Sequence, residues 1–198
     1  MPERLQQQIA FIMELDKLKQ ISRQTFLLDG SRTENDAEHS WQIAVMALLL
    51  AEYAAQKKLD IFRVVQMLLL HDVVEIDAGD TYLYDEQAAK DKAAREARAA
   101  DRLFRILPAD QAREFRELWE EFEARATPEA QFAAALDRLQ PLLHNYVTHG
   151  KSWQMHGVTS AHVERQQEQA IRPGAPALWE YAESLIRESE AKGYFGQK

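Results

Sequence analysis

Four residues place charge or imidazole where the surrounding pattern calls for apolar side chains. His39 stands just before a run of core residues, and His71-Asp72 follows Met67-Leu68-Leu69-Leu70. Asp137 closes the segment Phe132-Ala133-Ala134-Ala135-Leu136. A buried carboxylate or imidazole is costly unless it is paired or bound to a metal. Two His and two Asp make a sensible set for one divalent cation. Nitrogen and oxygen donors without sulfur suit Mn, Fe, Co, Ni, Mg or Zn in a site that keeps water ligands. Each residue also has a plain structural use. His39 could be a satisfied core or capping histidine, and Asp137 could pair with Arg138.

The adjacent pair His71-Asp72 limits how the site can be built. Helix neighbours point about 100° apart, so both reach one ion only if it sits in the cleft between their directions, which favours a helix end lining a pocket. Glu75 falls one turn past His71, near the ion without having to ligate it, where a general acid or base would act on water. Pro141 has no N–H for the carbonyl of Asp137. Inside a helix it costs about 3 kcal/mol and kinks the chain at the candidate ligand; otherwise it opens a new helix.

The elements that would position these residues read as helices. Leu5, Ile9, Ile12, Met13 and Leu18 recur at helical spacing over the first 20 residues. Residues 22–35 lose the period and carry the turn signal Asp29-Gly30. Asn35 or Asp36 would cap a helix to about Lys57, and Asp60 the next, which frays at Gly79. Residues 86–107 alternate Ala with charge, and Lys90 to Arg102 reads as a solvated helix with Asp91 and Arg95 at i, i+4. Thr127-Pro128 opens a helix lined by Phe132, Leu136, Leu139, Leu143 and Tyr146. Residues 147–157 read as a loop, and two helices follow at about 159–171 and 176–192. No repeat and no convincing strand is present. The fold expected is all-α, a single domain over 1–198 with about eight helices, its motifs in 23–137 and its C-terminal helices in 158–192.

Glu38-His39-Ser40, His71-Asp72 with Glu75 and Gly79-Asp80, and Leu136-Asp137 together resemble the HD-domain metal-dependent phosphohydrolases. Arg32-Thr33-Glu34-Asn35 before His39 makes the chain similar to the 5′-deoxynucleotidase branch. The resemblance implies one divalent metal held by His39, His71, Asp72 and Asp137, with Glu75 as a catalytic carboxylate. It implies that Asp80 is a second functional acid near the water and sugar, and that Arg23 contacts the substrate phosphate. Relatives of this branch place Trp directly after that arginine, and here Gln24 stands there with Phe26 beyond. The Arg23 to His39 spacing is one residue longer. Asp77 and Asp80 could both be turn or cap residues, and the spacing of the family favours Asp80 as the functional one. Relatives are often homodimers, and a homodimer is expected.

Composition narrows the rest. The 198 residues carry a formal charge of −8, which disfavours nucleic acid as a partner. Gly and Pro number 7 and 6, too few for a turn-rich β fold. No cysteine is present, which removes thiolate chemistry and fits a reducing compartment, here taken as the cytoplasm. The start MPERLQQQ lacks signal-peptide order, and Glu52 breaks the apolar run Ile43 to Ala55, so no membrane partner is expected. The expected function is a metal-dependent phosphomonoesterase acting on deoxynucleoside 5′-monophosphates. The alternatives are a nucleoside triphosphate or pyrophosphate hydrolase on the same scaffold, which needs more cations near the motifs, and a non-catalytic module that binds metal and nucleotide. His144, His149, His156 and His162 show no second ligand spacing and read as surface or loop residues. Lys151 and Trp153 could close over a substrate.

Overall fold

The computed structural model describes residues 2–85 and 87–196; Met1, Glu86, Gln197 and Lys198 of the expected domain lie outside them. Helix α1 (Glu3–Leu15) runs into a 3₁₀ turn over Asp16–Gln20. A short hairpin follows, β1 (Ser22–Phe26) antiparallel to β2 (Thr33–Asn35), pairing Ser22 with Asn35 and Phe26 with Thr33. No strand was expected here. Ser22-Arg23-Gln24-Thr25-Phe26 lacks apolar alternation, and its pairing comes from the turn at Gly30, where φ is +69°.

Asn35 caps α2 (Asp36–Leu50) in a reciprocal box with Glu38, each side chain serving the other's backbone N–H. That helix ends seven residues before the expected Lys57. Asp60 caps α3 (Ile61–Leu70), a 3₁₀ turn covers His71–Val74, and α4 (Glu75–Ala78) stops at Gly79, whose φ is +74°. Then come α5 (Lys92–Phe104), α6 (Ala109–Ala124) and α7 (Pro128–Val147). The last three are α8 (Lys151–Met155), where a loop was expected, α9 (Ser160–Gly174) and α10 (Pro176–Ala191). Eight of these helices have ten or more residues, and the fold is all-α apart from the hairpin.

Helix α7 is the axis of the bundle and packs against α2, α3, α6, α9, α10 and β1. Ala130, Ala133, Ala134 and Ala135 are buried and let neighbours approach closely. Gly174 of α9 lies so near that an added Cβ would meet the Gln131 carbonyl oxygen at 2.1 Å. Helix α7 continues through Pro141, so the reading in which that proline starts a new helix is corrected. One buried cluster joins Phe11 of α1 to Ile186 of α10. The periodic residues Leu5, Ile9, Ile12 and Met13 of α1 stay exposed, and Phe11 is the side chain this helix buries. Among the described residues no helix is long and apolar enough to cross a membrane.

Candidate functional site

Three elements converge on the polar intrusions. His39 lies one turn inside α2, fixed by the Asn35 cap. His71 and Asp72 open the 3₁₀ turn between α3 and α4, the helix-end placement that an adjacent His-Asp pair favours. Asp137 comes from the middle of α7, four residues before Pro141. All four are buried: His39 is 0% exposed, His71 5%, Asp72 7% and Asp137 6%. Ligand atoms of His39, His71 and Asp72 lie within 4.8 Å of one another. Asp137 Oδ1 stands 3.0 Å from His39 Nε2 and 3.7 Å from His71 Nε2, and His71 Nε2 is 3.0 Å from Asp72 Oδ1.

Hydrogen bonding on the far side of each ring fixes what faces this cluster. His71 Nδ1 donates to the Leu68 carbonyl at 2.9 Å, so in the neutral ring Nε2 is the free lone pair. Gln140 Nε2 donates to Glu34 at 2.8 Å and Gln42 at 2.9 Å, so its Oε1 accepts from His39 Nδ1 at 3.1 Å. His39 Nε2 is bare as well. With both rings neutral, two imidazole lone pairs and two carboxylates would share one buried space, and His71 Nε2 has no hydrogen bond among the described residues. Such a set requires positive charge at its centre. Burial lowers the His71 pKa, but Asp72 and Asp137 outweigh it and push the group up to about 10. His39, held down to about 4 by burial and by Arg23, stays neutral. Burial opposes ionisation of Asp137, yet Arg138 and the two histidines hold it well below the usual carboxylate range. A proton can serve one of these nitrogens; a divalent cation serves all four residues at once, so the donor set fits a metal.

A second layer surrounds Arg23 of β1. Its Nη1 donates to Asp72 Oδ2 at 2.9 Å and lies 3.4 Å from Asp36 Oδ1, while Nε is 3.5 Å from Glu34 Oε1. Asp36, Glu75 and Asp80 bring carboxylate oxygens within 4.8 Å of one another. Burial, and then the charges of Asp72, Asp36 and Asp80, push the Glu75 pKa well above the carboxylate range. Burial likewise raises Glu34 and Asp36, each to about 7. Asp80 faces the cavity, whereas Asp77 pairs outward with Arg102.

The cavity over this cluster measures about 150 Å³. Arg23, His71, Asp72, Glu75, Asp80 and Asp137 line it, and so do Lys92, Arg125 and Arg138. The pattern of residues 90–102 implied plain solvated helix, yet Lys92 sits at the wall, paired with Glu96 at 2.8 Å. Arg125 ends α6 in the left-handed region at φ 50°, and among the described residues its side chain makes no ion pair. Arg138 Nε lies 3.5 Å from Asp137 Oδ2. A non-glycine residue held at positive φ beside a cavity was the one local signal for Arg125, and it becomes visible only once the end of α6 is known.

The remaining candidates fall away from this His-Asp cluster. His144 is buried, contrary to expectation, and its Nδ1 donates to the Phe26 carbonyl at 2.8 Å. His156 lines a wider opening with Gln24 and Tyr82, its ring 4.5 Å from that of Tyr82. Lys151 Nζ bonds the Gly30 carbonyl at 2.8 Å and clasps the hairpin instead of closing over the cavity. Trp153 is buried.

A family model described as an HD domain matches residues 15–179. The chain belongs to the HD-domain family. It is 30% identical over 136 residues to the 5′-deoxynucleotidase HDDC2 of Homo sapiens, covering 68% of this chain and 65% of that protein, so the match spans just under two thirds of the curated relative's length. Its structure is similar to that of a predicted metal-dependent phosphohydrolase from Magnetospirillum magnetotacticum MS-1, at 55% identity and TM-score 0.93 over 98% of this chain and 97% of that one. PH0347 protein from Pyrococcus horikoshii OT3 is 25% identical with TM-score 0.60, covering 92% and 98%.

Proposed function

We propose that this HD-family chain, as one domain, is a metal-dependent phosphomonoesterase that releases phosphate from deoxynucleoside 5′-monophosphates. The observation that carries this reading is the pair of imidazole Nε2 atoms turned towards Asp72 and Asp137 in one buried space. His39, His71, Asp72 and Asp137 are the residues that would hold one divalent ion. When bound, it supplies a Lewis acid that lowers the pKa of a water and offsets phosphoryl charge. Glu75, whose pKa burial and the neighbouring carboxylates raise, is the group that delivers a proton to the leaving 5′-oxygen as the bond from water oxygen to phosphorus forms and the bond from phosphorus to that oxygen breaks. Asp80 orients the water and takes up its proton. Arg23 holds Asp72 in place through its 2.9 Å bond and meets the phosphate with its remaining donors. Arg125 and Arg138, on the same cavity, add the cationic groups that a phosphate dianion requires. The names of the curated relatives support the nucleotide substrate.

Stripping the protein of metal and assaying phosphate release with Mn, Co, Fe, Ni, Mg and Zn added singly tests the proposal. Release from deoxynucleoside monophosphates that depends on an added ion and is lost in Asp72→Ala supports it. Release without metal, or none from any nucleotide, contradicts it. Lys92, Arg125 and Arg138 also favour a second reading, hydrolysis of di- or triphosphates, since a longer phosphate chain needs more cations. Running mono-, di- and triphosphates side by side separates the two. The exposed strip Trp41, Val45, Leu48 and Leu49 along α2 supports a homodimer.

A further inference from the structure

A recess of about 50 Å³ opens beside the metal cavity and shares Arg23, Asp80 and Arg138 with it. Its walls include Trp153 and Tyr84, and two amides enter it, Asn145 from α7 and Gln167 from α9. Both are buried, at 6% and 2% exposed. Asn145 Nδ2 donates to the Pro141 carbonyl at 3.0 Å, which fixes the orientation of that amide. Gln167 Nε2 donates to the Tyr84 hydroxyl at 3.3 Å. The oxygens left over, Asn145 Oδ1 and Gln167 Oε1, have no hydrogen-bond partner among the described residues. Buried acceptors without donors are costly, and the chemistry at the metal cluster uses neither.

Two orphaned acceptors in a small polar recess call for a ligand that brings a donor. The space decides what kind. On this measure one water needs roughly 10–15 Å³, so the recess admits a few non-hydrogen atoms and excludes a purine or pyrimidine ring. The shared walls place it directly next to the phosphate cavity. In a nucleoside 5′-monophosphate the group next to the phosphate is the sugar. The wider opening lined by Gln24, Tyr82 and His156 lies beyond Asp80 and is large enough for the base, at about 590 Å³.

We propose that the recess is a sugar subsite in which the 3′-hydroxyl donates its proton to one of the two free amide oxygens, Asn145 Oδ1 or Gln167 Oε1. This rests on the phosphomonoesterase reading. It makes the two amides specificity-determining residues, with only the hydroxyl edge of the sugar entering the recess.

The test compares a 2′-deoxynucleoside 5′-monophosphate with the 2′,3′-dideoxy compound of the same base. Wild-type kcat/KM should be at least about tenfold lower for the dideoxy substrate, because the missing hydroxyl leaves that buried acceptor unpaired. Gln167→Met or Asn145→Leu, whichever removes the accepting oxygen, should bring the ratio of the two substrates towards one; a ratio cancels any loss of folded protein. Equal turnover of both substrates by the wild type overturns the proposal, and so does a ratio unchanged in both variants, the result for a recess that holds only ordered water. Calorimetric titration of the metal-loaded protein with the deoxynucleoside and with the dideoxynucleoside reads the subsite without chemistry. Tighter binding of the deoxynucleoside supports the subsite even if no phosphate is released, in which case the phosphomonoesterase reading alone has failed. Equal binding, or none of either, overturns the subsite.

Discussion

Asp137→Asn separates a metal ligand from a structural carboxylate. Asp137 Oδ1 sits 3.0 Å from the bare His39 Nε2, at the point where the two imidazoles and Asp72 converge. The amide keeps the volume of the acid, and its N–H can donate to His39. The metal-free variant should therefore stay within about 1 kcal/mol of the metal-free wild type, the scale of one exchanged hydrogen bond. Metal binding should respond very differently. An ion at a hundredfold excess over its Kd adds about 2.7 kcal/mol to the wild type. For a chain of this size each kcal/mol moves Tm by roughly 2–4 °C, so the ion should raise wild-type Tm by about 5–11 °C. The variant loses a charged ligand, and its metal-induced rise should be close to zero at the same concentration. Differential scanning calorimetry of the four samples, metal-free and Mn-loaded, reads both effects. A variant that retains the full rise would refute the assignment of Asp137. A variant that unfolds well below wild type without metal would show that its role is in folding.

Other substitutions probe the surroundings of the cluster. Gln140→Met leaves the His39 Nδ1–H without its acceptor and frees the ring, so metal affinity measured by competitive chelator titration should fall about 10- to 100-fold; an unchanged affinity removes Gln140 as a positioning residue. Arg125→Gly relieves the left-handed backbone at φ 50° and should add about 1 kcal/mol of stability by urea titration. The same variant should weaken inhibition by inorganic phosphate about tenfold, and undiminished inhibition would take Arg125 out of the phosphate site. Trp41→Ser combined with Leu48→Ser should convert a dimer to a monomer in light scattering, since both side chains are about two-thirds exposed, at 66% and 65%; an identical mass for wild type and variant would leave that strip without a partner copy.

The legible part of the site was the part where polar residues interrupt apolar pattern. His39, His71, Asp72 and Asp137 stand out because helix periodicity assigns their positions to the core. The His71-Asp72 adjacency further favoured a helix end, which the 3₁₀ turn supplies. Glu75 followed from its spacing along that turn. Lys92 and Arg125 were not legible, because a cation in a charged helix looks solvated until the fold turns it towards a cavity, and Arg138 was legible only as a partner for Asp137. Asn145 and Gln167 were hidden for the same reason, since an amide on a helix carries no period of its own. The hairpin eluded pattern because Ser22–Phe26 is polar on both faces, and its partner strand is only three residues long. Regular spacing over-reached in α1, where Leu5, Ile9, Ile12 and Met13 form a true stripe that points outwards. His144 joined the interior through a bond to the Phe26 carbonyl, a contact 118 residues away in sequence.

At the centre of the proposed chemistry is one cation held jointly by side chains from α2, the turn after α3, and α7. Crystals of the Mn-loaded protein, measured at the manganese absorption edge, test this directly. The expected result is a single strong anomalous peak enclosed by His39, His71, Asp72 and Asp137. A map with no peak among those four residues, or with the ion bound elsewhere while the four pair only with each other and with protons, would contradict it.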